Sequence, residues 1–276
     1  MQIQEDALPP VVITRPIAQA RLLQEKIARL GRKTILFPLL EISALKDNTA
    51  LDAALCALPH YALVAFVSPN AIDAAFARLQ AWPTEVPLAV MGEGSRQALA
   101  AHGISAMTTQ IYSPADIERT DSQTLLAVLD PVTFAGKRIL ILRGDSGREL
   151  LADALRTAGA IVTQVAAYRR AAPAIDSNGL LWLRQLLYRG CEWVITSSEA
   201  LRVLMQWAEQ LECRPHVDAD LEKSVPPTDV AILQRQTLFV PHVRIAETAK
   251  TLGFDNVLRT ASGDTGLLAA LQFHHE

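Results

Sequence analysis

The chain has 276 residues, half of them apolar and one in five charged, with a formal net charge of −3. That apolar content supports one large or two modest cores, and the slightly acidic balance argues against nucleic acid as a partner, because duplex binding needs a basic face. No apolar run approaches the roughly 20 residues of a membrane helix, and the first ten residues are acidic without a leader pattern, so the sequence reads as soluble and cytoplasmic, with no membrane partner.

Taken in chain order, "VVITRP" (11–16) is a strand and "AQARLLQEKIARLG" (18–31) a helix closed by Gly31, with Pro16 suited to a helix start. "FPLLEIS" (37–43) is a connector. Within 61–76 a buried strand runs straight into Ser68-Pro69-Asn70 at the mouth of a helix. "LAVMGEGSRQALAAHG" (88–103) places Gly92 and Ser95 at a similar mouth, and "DSQTLLAVL" (121–129) is a helix. "RILILRG" (138–144) is a strong strand, followed by "RELLADALRTAGA" (148–160) with its stop at Gly159. Between them, Arg143, Gly144, Ser146, Gly147 and Arg148 combine glycines that permit an exposed amide nest with arginines that pair with carboxylate or phosphate. "VAAYRRAAP" (165–173) carries Tyr168 ahead of Arg169 and Arg170. Trp193-Val194-Ile195 is a buried strand stopping at Thr196-Ser197-Ser198, again at a helix mouth. Residues 209–236 are charged, contain Pro215, Pro226 and Pro227, and lack periodicity; they read as a flexible insertion or long surface loop. "LFVPHVRIAETAKTLG" (238–253) ends a strand at His242, with Arg244 two residues on, and "GDTGLLAAL" (263–271) closes the pattern.

The order strand–helix, serine mouth, glycine or histidine mouth, final LL helix thus occurs twice, the mark of an internal duplication. Alternating strands and helices with near-continuous apolar strands imply parallel sheets covered on both faces. Ligands of such sheets bind beyond the carboxyl ends of the strands, where helix-start amides and hydroxyls suit an anion. The plain reading stands beside it: Ser and Asn are good N-caps, worth about 1 kcal/mol each without any ligand. In the same way Tyr168 serves either as packing or as a proton donor, His242 as a cap or a cleft residue, and Glu199 as a partner for the helix dipole. No phosphate-loop, dinucleotide, zinc or nucleophile-elbow motif occurs, and the histidines have no metal spacing. Cys56, Cys191 and Cys213 form no disulfide set; Cys56 and Cys191, in apolar contexts, are expected in the core.

"VITRP", "FPLLEI", "FVSPNAI", "LRGDSGRELLADALRTAGAIVTQVAAYRRA", "VITSSEA", "VPHVRIAETAKTLGF" and "DTGLLAAL", in this order and across 11–271, resemble the uroporphyrinogen-III synthase family. The departures are the insertion at 209–236 and Val67-Ser68, where the family commonly has Thr-Ser. The resemblance implies an α/β fold of two flavodoxin-like, doubly wound parallel-sheet domains joined by a two-stranded connector. Domain 1 would hold 1–37 with 171–276 and domain 2 would hold 38–170. It implies cyclisation of hydroxymethylbilane with inversion of the last pyrrole and loss of water, without cofactor or metal. Tyr168 is the expected aid to loss of water. Thr14, Ser68, Asn70, Gly92, Ser95, Gly144, Ser197, Ser198 and His242 would cradle carboxylates, and Arg15, Arg143, Arg148 and Arg244 would supply positive potential. A monomer is expected, with at most a transient contact with the upstream hydroxymethylbilane synthase. The rivals are a non-catalytic binder of a small anion and a sugar-phosphate isomerase.

Overall fold

A computed structural model describes residues 8–114, 122–147, 149–212 and 227–274. In chain order its first half contains β1 (Val11–Ile13), α1 (Ile17–Ala28), β2 (Thr34–Leu36), β3 (Glu41–Ser43), α2 (Thr49–Cys56), β4 (Leu63–Phe66), α3 (Pro69–Phe76), β5 (Leu88–Val90), α4 (Glu93–Ala101), β6 (Ile111–Tyr112) and α5 (Ser122–Leu129). Its second half contains β7 (Arg138–Gly144), α6 (Leu150–Thr157), β8 (Ile161–Ala171), α7 (Ser177–Tyr188), β9 (Glu192–Val194), α8 (Ser198–Glu212), α9 (Asp229–Gln234), β10 (Thr237–Val240), α10 (Val243–Thr251), β11 (Asn256–Arg259) and α11 (Gly263–Phe273).

The chain divides into two compact units, Met1–Glu41 with Ala171–Glu276, and Ile42–Arg170. The first carries a five-stranded sheet in the order β11-β10-β9-β1-β2, every pair parallel. The second carries the order β3-β8-β7-β4-β5-β6, parallel from β8 to β6. Alternate side chains of each strand enter different cores. Val12, Trp193, Leu238 and Val240 lie in one cluster of the first unit, and Val11, Ile13, Val194 and Phe239 in the other. Val64, Phe66, Leu140 and Leu142 lie in one cluster of the second, and Leu63, Ala65, Ile139 and Ile141 in the other. Such two-sided burial explains why the strands are apolar at every position rather than at every second one.

The duplication and the units cut the chain differently. With β3 set aside, each sequence half supplies five strands, β1, β2, β4, β5, β6 and then β7 to β11. The first unit combines β1 and β2 with β9, β10 and β11; the second combines β7 and β8 with β4, β5 and β6. Numbered within its repeat, each sheet has the flavodoxin-like order 2-1-3-4-5. The halves have exchanged their last three strands, and β3 lies beside β8 where the chain enters and leaves the second unit.

Two expectations are corrected. Cys56 is exposed at the end of α2, while Cys191 is buried; the apolar neighbours of Cys56 face inward at Leu51, Ala54 and Leu55 and leave the thiol outside. Residues 209–236 are not a loop throughout. The α8 helix continues to Glu212, and α9 occupies Asp229–Gln234. Asp229 is wholly buried and pairs with Arg184 of α7 at 2.9 Å, while Arg184 also donates to the Leu211 carbonyl. Residues 213–226 of the expected insertion lie outside the described residues.

The first unit is built from two distant stretches of chain, and one buried arginine spans them. Arg32 donates to the Pro9 carbonyl ahead of β1, to Glu192 at the start of β9 and to the Leu271 carbonyl in α11. The Arg32–Glu192 pair closes at 2.6 Å with each side chain 3% exposed. Removing one partner strands a buried charge, which costs about 3–5 kcal/mol. Glu192→Leu is therefore expected to lower the free energy of unfolding by about that amount, read as a lower urea midpoint at an unchanged slope; a midpoint like the parent's would show that the pair does not hold the two stretches together.

Candidate active site

In an open parallel sheet the ligand crevice opens where the strand order reverses, beyond the carboxyl ends. That point lies between β1 and β9 in the first unit and between β7 and β4 in the second. The sequence-derived candidates that are described all lie at these ends, on the helix turns that follow them, or, for Tyr168, on β8.

In the first unit, Thr14 follows β1 and is 1% exposed. Its hydroxyl donates to the Val194 carbonyl at 2.7 Å and so continues the β1–β9 pairing beyond Ile13. That bond takes the hydroxyl proton. Arg15 is also committed: its guanidinium donates to Asp264 at 2.7 Å, and Lys26 reaches the same carboxylate at 2.6 Å. Ser197 caps α8, accepting the amides of Glu199 at 3.2 Å and Ala200 at 3.5 Å. Ser198 accepts from the Thr248 hydroxyl at 3.0 Å and contacts the Arg244 carbonyl, tying α8 to α10. His242 caps α10 through Nδ1, which accepts the Arg244 amide at 3.5 Å. Arg244 itself is half-buried on the first turn of α10. The starts of α1, α8, α10 and α11 thus follow β1, β9, β10 and β11 at one edge of this sheet, and their amides favour negative charge there.

In the second unit, Ser68 caps α3 by accepting the Ala71 amide at 3.2 Å. Its own hydroxyl donates to the phenolic oxygen of Tyr168 at 3.1 Å. Asn70 is half-buried on the first turn of α3, Gly92 sits at the cap position of α4, and Ser95 turns inward at 3% exposure. Arg143 is held by Glu149 and by the side-chain amide oxygen of Gln164 at 2.8 Å, and the Gln164 side-chain amide nitrogen donates in turn to Glu149. The hydrogen bonds from Gln164 and then from Arg143 hold the exposed Glu149 carboxyl below its ordinary pKa. Gly147, with φ +143°, leaves room for the guanidinium, since a β-carbon there would lie 2.8 Å from Arg143 Nη2. Arg143 is therefore paired within its own unit. Arg148 lies outside the described residues.

Tyr168 owes its place to a bulge. On β8, Ala166 pairs with Arg143, but Tyr168 rather than Ala167 pairs with Gly144. The extra residue breaks the alternation, so Val165, Ala167 and Tyr168 all enter one core cluster. Asp145 fastens the turn: its amide donates to the Tyr168 carbonyl at 2.9 Å, and its carboxylate accepts the Arg170 amide at 3.0 Å.

Three partners escaped the sequence reading: Asp264, Glu149 and Gln164. Asp264 and Glu149 stand in segments already singled out, "GDTGLLAAL" and "LRGDSGREL", but their pairing across 249 and 6 residues leaves no local pattern. Among the described residues, no group of three or more His, Cys, Asp or Glu side chains could hold a metal ion, and no helix is long and apolar enough to cross a membrane.

Hydroxyls, helix starts and a seated phenol at the reversal points of two doubly wound sheets define the class: a two-domain α/β protein suited to a carboxylate-bearing molecule. A family model described as uroporphyrinogen-III synthase HemD matches residues 22–263. The uroporphyrinogen-III synthases of Salmonella typhimurium (strain LT2) and Escherichia coli (strain K12) are 32% and 30% identical to the chain, each alignment covering 95% of it and 99% of the relative. The chain belongs to the uroporphyrinogen-III synthase family. Among solved structures, a mutant uroporphyrinogen III synthase from the extremely thermophilic bacterium Thermus thermophilus matches with a TM-score of 0.60 at 14% identity, covering 97% of this chain and 100% of that one. The Helicobacter pylori 26695 enzyme gives 0.55 at 14%, covering 96% and 99%. These structural likenesses bear on the fold.

The Arg15–Asp264–Lys26 cluster yields a pH prediction. Burial alone would raise the Asp264 carboxyl, but the hydrogen bonds from Lys26 and Arg15 outweigh it and hold the group below its ordinary pKa. A depressed carboxylate contributes stability that is complete above its unfolded pKa, near pH 4, and is lost as pH falls through the lower folded value. Asp264→Asn is expected to lower stability at neutral pH and to flatten the acid side of the stability–pH curve below about pH 4. An acid side as steep as the parent's would show that this cluster contributes nothing to acid unfolding.

Proposed function

We propose that this chain converts hydroxymethylbilane to uroporphyrinogen III, closing the linear tetrapyrrole with inversion of its last ring and release of water, in tetrapyrrole biosynthesis. The observation that supports this most is family membership over nearly the whole chain, joined to a tyrosine seated among helix starts on a scaffold suited to carboxylates. The substrate bears eight carboxylates. Each unit by itself offers groups that suit carboxylates: helix-start amides of α3 and α4 with the half-buried Asn70 in the second, and those of α8 and α10 with the half-buried Ser197, Ser198 and Arg244 in the first.

The chemistry asks little of the protein beyond a proton and an orientation. The bond between the terminal methylene carbon and its hydroxyl breaks as Tyr168 donates a proton to the departing oxygen, which leaves as water. Electrons from the pyrrole nitrogen stabilise the methylene cation. The last ring attacks that carbon through its substituted α-carbon, the bond from this α-carbon to the existing methylene bridge breaks, and the freed bridge carbon bonds to the ring's other α-carbon, which leaves the ring inverted. That α-carbon gives up its proton to the Tyr168 phenolate as every pyrrole becomes aromatic again. The net change is loss of one water, with no oxidation. Holding a flexible chain in closing geometry accounts for most of the acceleration, and the donor for about a hundredfold or more. We further propose that the protein acts in the cytoplasm as a monomer.

The test generates hydroxymethylbilane in situ, adds the chain, and separates the oxidised porphyrin isomers. Excess isomer III is expected; isomer I alone from folded protein would return the case to a non-catalytic anion binder. Tyr168→Phe is expected to lower kcat for isomer III by about a hundredfold or more with an unchanged melting profile. Near-parent turnover in that variant would remove the donor role from Tyr168.

A further inference from the structure

Tyr168 is on β8, Ser68 follows β4, and β7 runs between these two strands. Neighbouring strands are about 4.8 Å apart, so the phenol must span β7 to meet the serine. It does so over Gly144 of β7, its bulge-shifted partner. A β-carbon at Gly144 would lie 3.1 Å from the ring carbon that bears the hydroxyl and 3.2 Å from the hydroxyl oxygen. The crossing is open because that position has no side chain. At its far end the ring meets a polarised serine: the Ala71 amide of the α3 start donates to Ser68 Oγ, and the Ser68 hydroxyl donates to the Tyr168 oxygen.

We infer that Ser68 is a positioning residue for Tyr168, a hydrogen-bonded relay between the α3 N-terminus and the phenol across β7, with Gly144 as the gap that lets the phenol through. The inference rests on the donor role assigned to Tyr168 under Proposed function. The Ser68 oxygen, fixed by the Ala71 amide at 3.2 Å, holds the phenolic oxygen at 3.1 Å and so sets the point from which the ring delivers its proton. Ser68 has extended backbone, φ −164° and ψ 156°, which a threonine adopts readily.

The experiment measures kcat and KM for isomer III with hydroxymethylbilane made in situ. The proteins are the parent, Ser68→Ala, Ser68→Thr, Ser68→Val, Gly144→Ala, Tyr168→Phe and the double variant Ser68→Ala/Tyr168→Phe, each checked for folding by its melting curve. Ser68→Ala is expected to lower kcat about tenfold, the worth of one hydrogen bond, with KM little changed. Threonine should restore turnover, whereas valine, of the same shape, should not. Gly144→Ala, with both hydroxyls intact, should lower kcat in the same sense by pushing the ring off Ser68. In the Tyr168→Phe background, Ser68→Ala should add nothing further. An equal loss in both backgrounds, or a raised KM with kcat kept, would mean that Ser68 meets the substrate directly, and the relay is overturned while Tyr168 keeps its role. Parent-like turnover in Tyr168→Phe alone would overturn the donor reading and the relay with it.

Discussion

Parallel strands buried on both faces force every connection to return over the sheet, and so gather the helix starts at one edge. The rest of this molecule follows from that constraint. Because the inner strands are covered on both faces, their backbone polar groups are spent on neighbouring strands. Free amides remain where a strand ends and a helix begins. The chain has no need of a dedicated anion-binding loop, since the architecture itself supplies a row of partial positive charges in each unit.

Two of the arginines at these edges are paired within their own units. Arg15, in the loop after β1, is tied to Asp264 of α11, and Arg143, near the end of β7, to Glu149 and to Gln164 of β8. Each pair fastens a strand end to another element of its own unit. Tyr168 differs from this background: a bulge, a glycine gap and a serine converge to hold one phenol.

Much of this was legible before any coordinates. Strand positions came from unbroken apolar runs, helix positions from their 3.6-residue period, and the mouths from Ser68, Ser197 and His242 at the boundary between them. The repeat was legible as well, but taken alone it points to a cut near the middle of the chain, and the interleaved division was expected only from the family resemblance. In the structure β4 to β6 and β9 to β11 are exchanged between the units. Nothing in a repeat records which copy a strand joins. The stretch 209–236 shows the opposite error. Its charges and prolines read as loop, but Asp229 and Leu233 are buried, and a six-residue helix is too short to show a period.

The sequence by itself determined the class of fold, the identity of the edge residues and the chemistry available to them, because strand burial and helix capping are local matters of residue type and spacing. Only the tertiary structure decided which of those residues remain open to a ligand. Thr14, Arg15 and Arg143 read as binding groups and are bound to Val194, Asp264 and Glu149. Ser68 read as a cap and also reaches a tyrosine 100 residues away. Hydrogen bonds and ion pairs form between groups that folding brings within about 3 Å, and that distance is a property of the packed sheet rather than of the spacing along the chain.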